Sequence, residues 1–133
     1  MIIGWREKVD LPDWGVTNLV AKVDSGARTS AIHVEGIQHT TDGLVSFAVV
    51  LSRRFAHRQV QVTCPIKRET VVKSSTGHTH ERIVVETTLS LAGIEKTIEL
   101  TLVSREKMTC RMLLGRTAIE DDFLIDTSVT HIV

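Results

Sequence analysis

An aspartate in a glycine-containing turn is the residue of this sequence best suited to chemistry. The run Ala-Lys-Val-Asp-Ser-Gly-Ala, residues 21–27, leads an apolar, strand-like stretch directly into Asp24, Ser25 and Gly26. Gly26 can adopt the positive φ of a tight turn and so hold the carboxylate rigidly, and the Ser25 hydroxyl can hydrogen-bond within the turn. Peptide hydrolysis by carboxylates uses two such groups that share one proton, one of them acting as general base on a water molecule.

The sequence offers this Asp-Ser-Gly triplet only once. A catalytic pair therefore requires Asp24 from a second copy of the chain, related to the first by a two-fold axis. We predict a homodimer on this ground. The simpler alternative is that Asp24 is a turn carboxylate that only hydrogen-bonds its own backbone.

A polar hairpin end is the second candidate. Strand-like residues flank a polar tip with one glycine, and we predict a hairpin over residues 70–85. Its tip, Ser75, Thr76, Gly77 and His78, is interpreted as a substrate-binding flap that folds over bound peptide and excludes water. A solvent-exposed hairpin end without function is the alternative.

Two arginines follow motif glycines closely, and either could bind a carboxylate through a bidentate guanidinium contact. Ala27 and Arg28, directly after the catalytic turn, are predicted to bind substrate. Arg116 is predicted to form a structural ion pair with Asp126 or Glu120.

Histidines suggest a metal site only weakly. His78 and His80 would project from one face of a strand, but a zinc peptidase needs a third ligand and an open position. Residues 80–84 begin like the helical H-E-x-x-H zinc motif yet end in valine, within β-type sequence. We therefore expect no metal and no other cofactor, and keep a zinc-dependent peptidase as the third alternative.

Composition limits the remaining classes. The 133 residues, 42% of them hydrophobic, are expected to form one domain over 1–133. Sixteen basic residues against sixteen acidic ones predict no binding to nucleic acid or to a membrane surface. The longest apolar run, residues 47–51, is too short to span a bilayer, and no secretory leader is visible. The two cysteines, Cys64 and Cys110, are expected to be free thiols. These features predict a cytoplasmic protein.

Alternating apolar and polar residues indicate β-structure almost throughout. Strand-like stretches cover residues 2–9, 18–23, 29–37, 44–51, 60–64, 85–91 and 97–102, and Ala92-Gly93 is the predicted hairpin turn before the last of these. One short helix is predicted over 116–121. The fold predicted is all-β, a closed antiparallel β-barrel with one short C-terminal helix.

Several runs of this sequence resemble the bacterial retropepsin-like proteins that carry the label "ATP-dependent zinc protease". They are Ile-Gly-Trp-Arg-Glu at 3–7, Leu-Pro-Asp at 11–13, residues 21–31, Ser-Ser-Thr-Gly-His at 74–78 and Arg-Met-Leu-Leu-Gly-Arg-Thr-Ala at 111–118. The resemblance implies a retropepsin-like barrel with Asp24 in the catalytic position, and a strand ending in Leu114, Gly115 and Arg116 behind the catalytic turn. It also implies a possible partner, the RimK-type ATP-grasp ligase that adds glutamates to a ribosomal protein.

The sequence thus favours a homodimeric aspartic endopeptidase that acts on a peptide or protein substrate. A non-catalytic peptide-binding or regulatory module, associated with an ATP-grasp glutamate ligase system, is the alternative. For the retropepsin-like arrangement we expect Val23, Leu113 and Leu114 to be buried at the centre of the barrel.

Overall fold

The fold is a β-barrel with two short extensions, seen in a computed structural model. The structure describes residues 1–52, 58–73, 76–77, 79–104 and 110–133. Within these ranges, residues 41, 72, 73 and 79–81 are described by their backbone alone. The strands are β1 (Ile2–Gly4), β2 (Arg6–Leu11), β3 (Val16–Val23), β4 (Ser30–His39), β5 (Leu44–Val50), β6 (Gln59–Pro65), β7 (Arg68–Lys73), β8 (Thr79–Leu91), β9 (Ile94–Val103), β10 (Met112–Leu114) and β11 (Leu124–Asp126). The helix α1 is Arg116–Ile119.

Six strands close the barrel, in the order β10-β3-β2-β8-β9-β4, because β10 also pairs with β4. β5 and β6 continue from the outer half of β4, and β7 pairs with the first half of β8. The closed barrel and the short helix confirm the predicted fold. The helix ends two residues earlier than expected, and residues 2–9 form two strands separated by a bend at Trp5.

The barrel is mixed, which corrects the prediction of an antiparallel one. β3 and β4 are joined by the Asp24 turn, and β10 lies between them. β10 pairs parallel with β3 and antiparallel with β4, and β4 in turn is parallel to β9. Alternation along single strands cannot reveal this insertion of a distant strand between two sequence neighbours.

Buried aliphatic side chains fill the barrel, including Leu19, Ile32, Leu100, Met112 and Leu114. The predicted hairpin turn is confirmed, since β8 and β9 pair through Leu91 and Ile94 around Ala92 and Gly93, both with positive φ. No helix in the described part of the chain is long and apolar enough to cross a bilayer.

The burial prediction for the centre of the barrel is right for one residue of three. Leu114 is fully buried, whereas Val23 and Leu113 are half-buried. Leu113 lies between the buried Met112 and Leu114, so the strand pleat turns its side chain to the opposite side of the barrel wall. Val23 is the last residue of β3, where the strand opens into the Asp24 turn.

Candidate active site

Asp24 is the first residue after β3 and is held by backbone hydrogen bonds from two directions. Its N–H donates to the Leu114 carbonyl oxygen at 2.8 Å, which extends the parallel pairing of β3 with β10. The preceding N–H, of Val23, donates to the Trp5 carbonyl oxygen at 2.8 Å. Asp24 itself is half-buried. The backbone that carries the carboxylate is therefore fixed by both neighbouring segments, while the carboxylate keeps access to solvent.

The turn binds its own carboxylate through the backbone. The N–H of Gly26 donates to Asp24 Oδ1 at 3.2 Å, and the N–H of Ala27 donates to the Asp24 carbonyl oxygen at 3.2 Å. The exposed Ser25 hydroxyl makes no hydrogen bond to the residues that the structure describes, although the sequence predicted one. The backbone N–H of Gly26 is already in place beside the carboxylate, so no hydroxyl is needed there.

Gly26 is not in the left-handed region, so the expected positive φ is wrong. A Cβ at this position would lie 3.4 Å from Asp24 Oδ1, an ordinary van der Waals distance. The backbone conformation therefore does not demand glycine here. What the glycine provides is an uncovered N–H and open space next to the Asp24 carboxylate.

Gly115 is required for a different reason, because it allows two backbone segments to touch. A Cβ on Gly115 would lie 2.6 Å from the Thr29 carbonyl carbon, 2.7 Å from the Thr29 carbonyl oxygen and 2.8 Å from the Arg28 carbonyl oxygen. The N–H of Gly115 donates to the buried hydroxyl of Ser30 at 3.0 Å. The segment after the Asp24 turn is thus pressed directly against the end of β10, as the family resemblance implies for this glycine.

Arg116 braces the Asp24 turn. Its N–H donates to the Ala27 carbonyl oxygen at 2.8 Å, and its guanidinium donates to the carbonyl oxygens of Ser25 at 3.1 Å and Gly26 at 3.3 Å. The predicted ion pair with Asp126 or Glu120 is therefore wrong. A guanidinium can donate to carbonyl oxygens as well as to carboxylates, and here its partners are the carbonyl oxygens of the turn.

Thr117 completes this brace one residue further on. Its N–H and its hydroxyl both donate to the Arg28 carbonyl oxygen, at 3.1 and 3.0 Å. The Arg28 backbone is therefore fixed, while its side chain is exposed. The guanidinium makes no hydrogen bond or ion pair with any described residue. Arg28 thus presents a free positive charge four residues after Asp24.

The predicted flap hairpin is present, and its tip is partly described. β7 and β8 pair antiparallel from Arg68 with Val84 to Lys73 with Thr79. Thr76 and Gly77 lie in the connecting turn and are exposed, with Gly77 at φ +85°. The substrate-binding predictions for Ser75 and His78 fall outside the described residues.

The described residues hold no group of three histidine, cysteine or acidic side chains that could bind a metal ion. The two flap histidines of the zinc alternative are outside this statement, because His78 and the side chain of His80 are not described. Cys64 and Cys110 are both free, as expected.

One cavity of about 370 Å³ is lined in part by Arg28 and Thr29, which follow the Asp24 turn. Of its lining only Arg28 was predicted for the site, and the residues missed include Arg68, Glu99 and Thr117. Arg68 and Glu99 are 31 positions apart and meet only because β7 and β9 both pair with β8. No local pattern carries that information. Thr117 lies in the run 111–118 that carries the family resemblance. Its position directly after Gly115 and Arg116 could have identified it as a residue near the site.

Residues 2–133 match the family described as "RimB-like: Retropepsin-like aspartic endopeptidase RimB". The chain belongs to the RimB-like family. It is 40% identical over 131 residues to a probable alpha-L-glutamate ligase of Desulfotalea psychrophila, covering 96% of this chain and 28% of that protein. The corresponding protein of Shewanella pealeana is 37% identical over 132 residues, with the same two coverages. This RimB-like chain thus spans less than a third of these curated relatives and matches their N-terminal part.

Among solved structures, this RimB-like chain resembles the Legionella pneumophila protein Lpg0085, whose function is unknown. The TM-score is 0.80 at 25% sequence identity, over 98% of this chain and 96% of that one. This similarity supports the closed six-stranded barrel as the fold of the chain.

Proposed function

We propose that two copies of this RimB-like chain form an aspartic endopeptidase, with one Asp24 from each copy at its centre. The observation that supports this best is the bracing of Asp24. The Asp24 N–H donates to the Leu114 carbonyl oxygen, and the Gly26 N–H donates to the Asp24 carboxylate. The Arg116 guanidinium donates to two carbonyl oxygens of the turn. Preorganisation of this kind is what a catalytic carboxylate requires, because the protein then pays no reorganisation cost during the reaction.

The reaction would proceed by direct attack of water. One Asp24 carboxylate removes a proton as the water oxygen bonds to the scissile carbonyl carbon, while the protonated carboxyl of the partner's Asp24 hydrogen-bonds to the carbonyl oxygen. The C–N bond of the resulting tetrahedral intermediate then breaks. The amine leaves with a proton from the pair, and the products are one new carboxyl group and one new amino group.

The dimer is part of this proposal because one chain supplies one such carboxylate. Among the described residues, the only side-chain hydrogen bond of Asp24 is the one from Gly26. Two carboxylates a few ångströms apart cannot both ionise cheaply, so the pair retains one proton and activity is expected in the acidic to mildly acidic range.

The substrate proposal takes its starting point from the relatives. The curated proteins that match this chain are named as probable alpha-L-glutamate ligases. Peptides with consecutive α-linked glutamates are therefore the first substrates to test.

The test is hydrolysis of such peptides by the wild type, by Asp24→Asn and by Asp42→Asn, with products identified by mass spectrometry. Asp42 is an exposed turn residue and serves as the matched control. We expect Asp24→Asn to abolish hydrolysis and to unfold at the same urea concentration as the wild type or a higher one. Asp42→Asn is expected to retain full activity, as is the wild type after treatment with a strong chelator.

Sedimentation equilibrium on the same samples gives the oligomeric state. Full activity in Asp24→Asn would contradict the proposal. A wild type that is a proven dimer and cleaves none of the peptides would favour the non-catalytic peptide-binding module. Loss of activity on chelation, restored by zinc, would favour the zinc-dependent alternative.

A further inference from the structure

The cavity of about 370 Å³ next to the catalytic turn combines three charged side chains from distant parts of the chain. Arg28 comes from the segment after the turn, Arg68 from the start of the flap hairpin, and Glu99 from β9. Threonine side chains, among them Thr29 and Thr117, supply polar groups between them. The volume is sufficient for one or two amino-acid side chains.

The two arginines differ in what they bind. The Arg68 guanidinium donates to both carboxylate oxygens of Glu99, so its charge is largely neutralised within the protein. Arg28 has no partner among the described residues. The lining therefore carries one uncompensated positive charge, on a residue four positions after the proposed catalytic Asp24. A guanidinium is the group that proteins use most effectively to bind a carboxylate.

We infer that this cavity is a subsite for an acidic side chain of the peptide substrate, with Arg28 as its main contact and Glu99 as a built-in competitor. The inference rests on the proposed endopeptidase function and names the residues that determine its specificity. A substrate carboxylate entering the cavity meets Arg28 directly. It meets Arg68 only in competition with Glu99.

Glu99 therefore limits how strongly the cavity attracts acidic groups. It also lies directly opposite Glu86 on β8, a pairing of like charges that is unfavourable across neighbouring strands. An ion pair between Lys67 and Glu86, at 3.5 Å, partly offsets this repulsion between the two glutamates. Replacing Glu99 with glutamine removes the competitor and one of the two facing charges, so the variant is expected to fold.

The experiment measures peptide binding rather than cleavage, so that it stays informative if the protein proves not to be a peptidase. Peptides of six glutamates or six glutamines, blocked at both ends and carrying a fluorophore, are titrated with the whole protein at low ionic strength. The proteins compared are the wild type, Arg28→Gln, Glu99→Gln and Lys8→Gln. Lys8 is exposed on β2 and does not line the cavity, so it controls for loss of one positive charge.

We expect Arg28→Gln to weaken binding of the glutamate peptide about tenfold or more, as for loss of a charge-assisted hydrogen bond. Glu99→Gln is expected to strengthen it about threefold or more, since a partly exposed ion pair competes only modestly. The glutamine peptide is expected to bind all four proteins alike, and Lys8→Gln to behave as the wild type.

Equal weakening by Arg28→Gln and Lys8→Gln would overturn the inference, because it would show a general charge effect. So would weaker binding of the glutamate peptide by Glu99→Gln. A third arm uses the glutamine peptide with a free C-terminal carboxylate. If the free C-terminal carboxylate alone makes the glutamine peptide bind as strongly as the glutamate peptide, the cavity binds a chain end. The proposal of a subsite for an acidic side chain would then be wrong. Charge-selective binding without any cleavage would instead refute the peptidase and leave the subsite intact.

Discussion

Replacing Gly115 with alanine tests the close contact between the end of β10 and the segment after the Asp24 turn. The new methyl carbon would lie 2.6 to 2.8 Å from backbone atoms of Arg28 and Thr29, distances at which the two segments must separate. Overpacking of this kind costs about 1–3 kcal/mol. Separation would also weaken the hydrogen bonds from the N–H groups of Arg116 and Thr117 to this segment, each worth roughly 1 kcal/mol.

One effect acts in the opposite direction. Alanine reduces the conformational freedom of the unfolded chain and so stabilises the folded state by about 0.4–1 kcal/mol. The net expectation for Gly115→Ala is a free energy of unfolding lower by about 2–4 kcal/mol. Gly26→Ala is the matched control, because its methyl group would have only Asp24 Oδ1 nearby, at 3.4 Å, and its φ is not left-handed. We expect that variant to match the wild type or to gain up to about 1 kcal/mol.

The assay is equilibrium unfolding in urea, followed by the fluorescence of the two tryptophans, at one fixed protein concentration because a dimer would make the midpoint concentration-dependent. With a slope of about 2 kcal/mol per molar urea, Gly115→Ala is expected to shift the midpoint down by about 1–2 M. A shift no larger than that of Gly26→Ala would refute the reasoning, since it would mean that the two segments can part without cost.

Three further predictions concern single side chains. Ser30→Ala leaves the buried N–H of Gly115 without its acceptor, so urea unfolding is expected to show a loss of about 1–3 kcal/mol, with recovery in Ser30→Thr. Hydrogen bonds from the Ser128 hydroxyl and N–H lower the pKa of Asp126. This carboxylate therefore contributes stability that is present above its unfolded pKa and is lost as pH falls through the lowered folded pKa. NMR titration of Ser128→Ala is expected to show the Asp126 pKa move back up. Burial raises the pKa of the Cys64 thiol, so its alkylation by iodoacetamide is expected to have a midpoint above that of a free cysteine peptide.

The elements that could be predicted from the sequence are those that neighbouring residues in the sequence determine. The β8–β9 hairpin follows from strict alternation on both sides of Ala92-Gly93, and the Asp24 turn follows from its composition. The parallel pairing of β3 with β10 could not be derived from alternation, because it joins segments far apart in the sequence. The family resemblance implied only that a strand ending in Leu114, Gly115 and Arg116 lies behind the Asp24 turn, and not that it is parallel to β3.

Errors about the site arose where one residue type has several uses. Gly26 was expected to provide positive φ, yet its role is to leave the Asp24 carboxylate uncovered. Arg116 was expected to bind a carboxylate, yet it binds carbonyl oxygens. Both residues were correctly placed at or beside the Asp24 turn. The backbone conformation of Gly26 and the partner of Arg116 were wrong, because both depend on three-dimensional neighbours.

The position of β10 between β3 and β4 also determines when the Asp24 turn can be braced during synthesis of the chain. Arg116 lies 91 positions after the Ser25 carbonyl that it holds, and Gly115 lies 85 positions after Ser30. Contacts between such distant residues form slowly, because the intervening chain must first lose much of its freedom. A nascent chain carries Asp24 early but lacks the brace of its turn until residue 117 has been added. A growing or truncated polypeptide therefore lacks the Arg116 brace of this turn, and the Asp24 carboxylate reaches its fully braced position only with a nearly complete barrel.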